Sequence, residues 1–349
     1  MMSPNEPPPA DLSLDYRHTS RLLEEFQELP IVAWLVQAIK HIDLDPESLV
    51  DFLDLSKRLR YLVKEERPIS TGFALGVPED AIEKLNQASL KVSNPLGLSV
   101  KNSAEFVDVA CLVDGSRQVV LVDRSGRARG VSRLDELRPA DQGPLCAPRY
   151  LGHCVLCSQA KSLVFVFLGG GVINVFWEHG QILRHDARGW RFRNSQEIEP
   201  LLTGLAGTQR IDADVLRTLF CLALEMSDRH TGGIFIIGDE DSVLTHTDPS
   251  RLPAFLSVEN ASLLGGRLDE LERYAQQDGA VVLDASGCIK RIMAHLRPPQ
   301  GAAVSVKPGV GLRHTSAAGI TSITAAVAIV VSQDGPVSIY AGGQTVLEI

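Results

Sequence analysis

The chain has 349 residues, with 34 Lys and Arg against 43 Asp and Glu and a formal net charge of -9. Its hydrophobic fraction of 44% and charged fraction of 22% suit a folded protein of two or three domains and exclude wholesale disorder. Such an acidic chain has no general attraction for nucleic-acid backbones or anionic membranes, so a phosphate ligand must be held at a local site.

The residues up to Tyr16 have neither a basic start nor an apolar core and do not read as a secretory signal. The most apolar early run, Pro30 to Ile39, carries Gln37 and ends at Lys40, far short of the ~20 residues of a membrane helix. The six cysteines are scattered, which suits a reducing compartment better than a disulfide framework. The expectation is a soluble cytoplasmic protein whose Pro-rich residues 1–15 fray.

From Arg21 to Glu66 the pattern is helical. Leu49, Phe52, Leu53, Leu59, Leu62 and Val63 recur at three- and four-residue steps, with Pro30, Pro46 and Pro68 as punctuation. Residues 1–90 therefore read as a helical segment for docking, dimerisation or regulation. From about Lys91 the texture turns to strands: Gln118 to Asp123 runs into a Ser125-Gly126 turn, and Ser162 to Leu168 is followed by three glycines. Val172 to Phe176 and Gln181 to Leu183 make a hairpin across His179-Gly180. Residues 91–204 read as a strand-rich accessory domain.

The last third alternates helix and strand. Asp212 to Arg229 is an amphipathic helix with Asp212 or Asp214 as its cap, and Gly233 to Ile237 is a buried strand. Leu268 to Gln276 is a second helix. Ala280 to Leu283 and Cys288 to Ala294 form a hairpin, a third helix starts near Arg313, and Val327 to Ser332 and Val337 to Tyr340 complete a mixed sheet. Residues 205–349 thus read as one α/β domain. Val119-Val-Leu-Val-Asp-Arg-Ser-Gly126 and Val281-Val-Leu-Asp-Ala-Ser-Gly287 echo one another, but apolar strands ending in Ser-Gly turns are common and the echo is too short to make a duplication.

Several clusters carry possible chemistry. Cys146, His153, Cys154 and Cys157 include a Cys-x-x-Cys pair, yet the second knuckle of a structural zinc site is missing, and buried packing is the favoured reading. Gly169-Gly170-Gly171 leads into a strand without the Lys or Ser/Thr of a phosphate loop, so it reads as a hairpin turn. The acidic run Asp239-Glu240-Asp241 follows a strand and has the chemistry to bind a metal, but a solvated loop is the favoured reading.

Arg-His-Thr occurs at 17–19, 229–231 and 313–315. Arg229 ends a helix, where a cation suits the dipole. Arg313 instead follows the loop Lys307-Pro-Gly-Val-Gly-Leu312 and precedes small residues that open a helix. A helix N-terminus presents unpaired N–H groups, Arg313 adds a bidentate fork, and His314, Thr315 and Ser316 add further donors, which together suit a phosphate. Upstream, Asp278-Gly279-Ala280 lies where a helix gives way to a strand, and a carboxylate there suits a divalent metal or a hydroxyl proton.

In this order, these pieces resemble the diadenylate cyclase domain, the family that condenses two ATP into cyclic di-AMP. The resemblance rests on Asp278-Gly-Ala280, then Gly311-Leu-Arg-His-Thr-Ser-Ala-Ala-Gly-Ile320, then Ala328-Ile-Val-Val-Ser332, with Arg229-His-Thr-Gly-Gly-Ile-Phe-Ile-Ile237 as the first core strand and its lead-in. It covers about 210–345. It implies that Asp278 acts on the metal and the attacking 3'-hydroxyl, that Gly279 and Ala280 line the nucleotide pocket, and that Leu296 meets the adenine through its backbone. Leu312, Arg313, His314, Thr315 and Ser316 would hold the phosphates, with Asp278, Arg313 and His314 as the catalytic set. It further implies ATP as substrate, Mn²⁺ or Mg²⁺ as cofactor, and a homodimer or higher homo-oligomer with facing sites. Departures are Gln333 after Ser332, where many members carry paired acids, and Thr315 in place of a second Arg. The alternative is a catalytically silent nucleotide-binding sensor of the same fold.

Overall fold

The computed structural model describes Leu22 and residues 29–61, 63–64, 67–86, 98–135, 137, 145–169, 171–177, 180–186, 189–192, 195–248, 268–299, 311–333 and 336–349. The Pro-rich residues 1–15, the first Arg-His-Thr, residues 301–310 and Asp334 lie outside them. The chain divides into two compact units, 1–195 and 196–349.

The first unit opens with helix α1 (Leu29–Ile42) and helix α2 (Pro46–Leu59). Asp45 caps α2 by accepting from Ser48 N, and Pro46 sits in the first turn, where a missing N–H costs nothing. There follow β1 (Thr71–Val77), α3 (Glu79–Asn86), α4 (Ser103–Ala110), β2 (Gln118–Asp123) and β3 (Ala128–Arg133). Then come α5 (Leu151–Ala160), β4 (Leu163–Leu168), β5 (Val172–Trp177), β6 (Gly180–Asp186) and β7 (Gly189–Phe192).

These seven strands form one sheet in the order β3-β2-β1-β4-β5-β6-β7. Only β1 and β2 run parallel; the other neighbours are antiparallel. The helices of the 1–90 stretch and the strands after them build a single core. Phe52 of α2 packs edge-on to Phe73 of β1 and Phe165 of β4, with centroids 5.5 and 5.1 Å apart. The strand at Thr71–Val77 escapes a helical reading of this stretch because all seven residues are buried, so no alternation marks it.

The second unit contains α6 (Ser195–Gln209), whose first residue belongs to the unit before, then α7 (Ala213–Asp228), β8 (Gly233–Ile237), α8 (Glu240–Thr245) and α9 (Leu268–Ala275). β9 (Ala280–Leu283), β10 (Ile289–Ala294), α10 (Leu312–Thr321), β11 (Val327–Val331), β12 (Val337–Ala341) and β13 (Gln344–Glu348) follow. The sheet order is β10-β9-β8-β11-β12-β13, with β8 and β9 parallel and the rest antiparallel.

Ile234, Ile236, Val282, Ala328 and Val330 face Ala317, Ala318 and Ile320 of α10. By the two-residue period, Phe235, Val281 and Ile329 point to the opposite face, where α7 and α9 pack. This is a mixed α/β sheet flanked by helices. Among the described residues, no helix is long and apolar enough to cross a membrane.

Candidate active site

The site collects at the end of the sheet where β8 and β9 begin. These strands are parallel neighbours with Phe235 opposite Val281. Carrying that register back three residues sets Gly232 beside Asp278. In the antiparallel neighbour β11, Gly233 lies opposite Val331, so Ser332 and Gln333 emerge at the same end.

Arg313, on the first turn of α10, reaches that end. A Cβ at Gly232 would lie 2.1 Å from its Nη1 and 3.1 Å from Gln333 Cγ. Arg313 and Asp278, separated by a long stretch of chain, are therefore brought to the same end of the sheet. The second Arg-His-Thr does not join them through its arginine. Arg229 closes α7 by pairing with Glu225 at 2.5 Å and Glu272 at 3.0 Å, while Thr231 Oγ1 donates to Met226 O. Its part is to hold the Gly232 backbone in place.

Asp278 is 90% exposed, and its carboxylate lies 4.0 Å from His295 Nε2. Gly279 follows with φ +108, and a Cβ there would meet Met293 C at 2.6 Å and Ala294 N at 2.9 Å. Only glycine fits both the backbone angle and the close approach. Ala280 is the first residue of β9, paired with Ala294. Beyond β10 the chain bridges back: Leu296 pairs with Thr247, Asp248 N donates to His295 O, and Arg297 N donates to His246 O. Arg297 also pairs with Asp248 at 2.6 Å. Leu296 is thus fixed by its main chain and packs half-buried on the core.

At the start of α10, Gly311 is the N-cap and supplies no capping side chain. Leu312 is 86% exposed, Thr315 is exposed and Ser316 half-buried. A helix start without a side-chain cap and with an arginine on its first turn is a receptive place for an anion.

His314 points the other way. It is buried, its Nδ1 lies 2.9 Å from Tyr340 Oη, and burial pushes its pKa below the usual value, helped by the charge of Arg313. The ring is neutral at pH 7 and anchors the helix start to β12.

Gly232, His295 and Tyr340 belong to this site by geometry and carried no assignment from sequence. Gly232 stood inside the quoted lead-in to β8 as its first glycine. His295 and Tyr340 had no local signal, because only the hairpin and the β11–β12 pairing place them.

Residues of the other clusters make hydrogen bonds within the fold. His153 Nε2 lies 2.7 Å from Gly115 O, and Cys157 Sγ donates to Phe176 O, which fits packing at a strand. Asp239 accepts from Ser242 Oγ and Ala325 N, tying α8 to the loop before β11. Among the described residues, no group of three or more His, Cys, Asp or Glu is arranged to hold a metal.

Comparison with known proteins points to the same unit. Residues 223–345 match the family described as DisA bacterial checkpoint controller nucleotide-binding. The chain is 30% identical over 167 residues to a diadenylate cyclase of Haloferax volcanii, covering 46% of this chain and 61% of that protein. It is 29% identical over 140 residues to a diadenylate cyclase of Methanocaldococcus jannaschii, covering 38% of this chain and 44% of that one. The match therefore spans less than two thirds of either relative.

Among solved structures, a hypothetical membrane spanning protein from Bacillus cereus aligns with a TM-score of 0.30 and 18% identity, over 36% of this chain and 59% of its own. A double mutant of DacA from Staphylococcus aureus aligns with a TM-score of 0.27 and 17% identity, over 43% and 87%. Residues 223–345, which hold Asp278, Gly279 and the α10 start, thus match a diadenylate-cyclase-type nucleotide-binding domain.

Proposed function

We propose that this chain is a cytoplasmic diadenylate cyclase that condenses two ATP into one cyclic di-AMP and two pyrophosphates. The observation that carries the reading is the meeting of Arg313, at a helix start without a side-chain cap, with the Gly232–Asp278 end of the sheet. It gives one end of the sheet both a triphosphate-binding cation and an exposed carboxylate.

In this reading Arg313 and the first N–H groups of α10 hold the triphosphate by charge-assisted hydrogen bonds, with Thr315 and Ser316 as hydroxyl donors. Gly279 and Ala280 line the pocket, and the Leu296 main chain meets the adenine. His314 is a positioning residue, because its ring is spent on Tyr340 and fixes the angle at which Arg313 leaves the helix. The 3'-oxygen of one ATP bonds to the α-phosphorus of the facing ATP, the bond to pyrophosphate breaks, and the Asp278 carboxylate accepts the hydroxyl proton. The second half of the reaction repeats this with roles exchanged. Two sites must face one another, which calls for a homodimer or higher assembly.

Asp278 suits a Mn²⁺ or Mg²⁺ ion, since hard cations in phosphoryl transfer take one or two carboxylates and complete their shell with phosphate and water. Such an ion supplies charge neutralisation at the reacting phosphate. The deciding experiment is incubation of the purified chain with ATP and Mn²⁺, followed by mass spectrometry of the nucleotides. Cyclic di-AMP that disappears in Asp278→Asn is expected. ATP binding without any product would instead favour a silent sensor of the same fold.

A further inference from the structure

The two units repeat one another. We infer that the N-terminal unit is a second copy of the cyclase domain whose nucleotide site has been dismantled, so that each chain holds one ATP site. The duplication stands on the fold alone; the loss of a site rests on the function proposed above.

The sheets agree strand for strand. The first six strands of the N-terminal sheet, β3-β2-β1-β4-β5-β6, match β10-β9-β8-β11-β12-β13, and in both the single parallel pair lies between the first two strands in sequence. The registers agree as well. Phe73 lies opposite Val120 on one side and Phe165 on the other; Phe235 lies opposite Val281 and Ile329. Three residues on, Gly76 and Gly238 both take a left-handed φ, +78 and +79.

The turns agree down to single hydrogen bonds. Asp123 Oδ1 accepts from Ser125 N, Ser125 Oγ and Arg127 N, and Asp284 Oδ1 accepts from Ser286 N, Ser286 Oγ and Cys288 N. This is the short sequence echo, now at matching places in two folds. Asp45 caps α2 and its N–H donates to Arg124 O; Asp212 caps α7 and its N–H donates to Ala285 O. Two residues before each cap, Asp43 and Arg210 have φ of 55 and 57. A common fold class would supply the helices and strands, but not the same side-chain bonds at the same register.

The copies part at the site. Through the register and the Asp123/Asp284 turn, Asp278-Gly279-Ala280 falls on Arg117-Gln118-Val119. The third residues of α5 and α10 are both buried histidines: His153 packs on Phe176, and His314 on Tyr340. Phe176 and Tyr340 hold the same place, opposite Val164 and Ala328. Aligned on those histidines, Arg313, Thr315 and Ser316 fall on Gly152, Cys154 and Val155.

Each change removes a role. Arg117 puts a cation where a carboxylate is needed, and Gly152 removes the phosphate fork. A Cβ at Gly152 would lie 2.4 Å from Leu134 O, so the backbone closes the space that an arginine would need. The scaffold histidine survives and the ligand groups do not. A chain with one site makes no cyclic di-AMP alone; turnover requires the C-terminal units of two chains.

The test is a calorimetric titration of the full chain with a non-hydrolysable ATP analogue and Mn²⁺, with hydrogen exchange on the same complex. One analogue per chain is expected, with protection over 278–280 and 312–316 and none over 117–119 or 151–155. Arg313→Ala should weaken that binding roughly tenfold or more. Two analogues per chain, or protection at 117–119 or 151–155, would overturn the dismantled site and leave the proposed cyclase standing. No binding at all would overturn the cyclase reading, and the dismantled site with it.

Discussion

Arg313 lies against the backbone of Gly232, so close that any side chain there would displace it: a Cβ would sit 2.1 Å from its Nη1. The two residues meet because β8 and α10 belong to one layered unit, and the meeting turns a lone arginine into part of a site that includes Asp278. Gly232→Ala is expected to push the guanidinium aside and weaken ATP binding by about 1.5–3 kcal/mol, the range for a hydrogen bond to a charged group. The fold should be little affected, because the displaced atom is the far end of a flexible chain. Calorimetry with an ATP analogue, beside a thermal melt, checks both parts.

Asp278→Asn should abolish turnover while leaving ATP binding measurable and stability within about 0.5 kcal/mol, as usual for an exposed substitution. Its side chain is 90% exposed and lies 4.0 Å from His295 Nε2, so the fold gains little from its charge. Product formation equal to that of the parent protein would remove Asp278 from the mechanism.

Tyr340→Phe deletes the hydroxyl that meets His314 at 2.9 Å inside the core. Leaving His314 without that partner should cost about 1–3 kcal/mol. As a positioning change it should raise KM for ATP more than it lowers kcat. A variant with unchanged KM would show that the helix start needs no such anchor.

Burial pushes His153 down to about 4, against the pull of the Gly115 and Tyr150 main chain toward the protonated form. Below pH 6.5 the unfolded chain takes up a proton that the folded unit refuses. Stability is therefore complete above pH 6.5 and declines as the pH falls toward 4, by on the order of 3 kcal/mol over the whole window. All three tryptophans, Trp34, Trp177 and Trp190, lie in the N-terminal unit. Urea unfolding followed by their fluorescence at pH 7.5 and 5 reads this unit directly. His153→Gln, which can keep the bond to Gly115 O, should flatten the dependence.

Asp284→Ala removes an acceptor shared by three donors and should destabilise the C-terminal unit by about 2–3 kcal/mol. Asp123→Ala should do the same to the N-terminal unit. Thermal melts of the two variants should lose similar amounts, since the turns are built alike.

Much of the C-terminal unit was legible in the sequence. Gly233–Ile237 and Ala280–Leu283 are continuous apolar runs, Asp212 marks a helix start, and Asp278 and Arg313 stand in distinctive local company. The edge strand Gln344–Glu348 was not legible, because its residues alternate between exposed and half-buried and no apolar run marks it. Thr71–Val77 escaped for the opposite reason, being buried throughout and interrupted by two glycines.

By itself, the sequence determined most local elements of the C-terminal unit, its resemblance to the diadenylate cyclase domain and the residue types able to hold a triphosphate. Tertiary structure alone decided which of those residues meet, and that the chain carries its fold twice. Strand pairing joins residues far apart, such as Phe73 with Phe165 and Phe235 with Ile329, and burial requires that they be apolar without prescribing which apolar residue. Core identities can therefore drift until a repeat is unreadable. Register, turn hydrogen bonds and left-handed glycines are held by backbone geometry and persist.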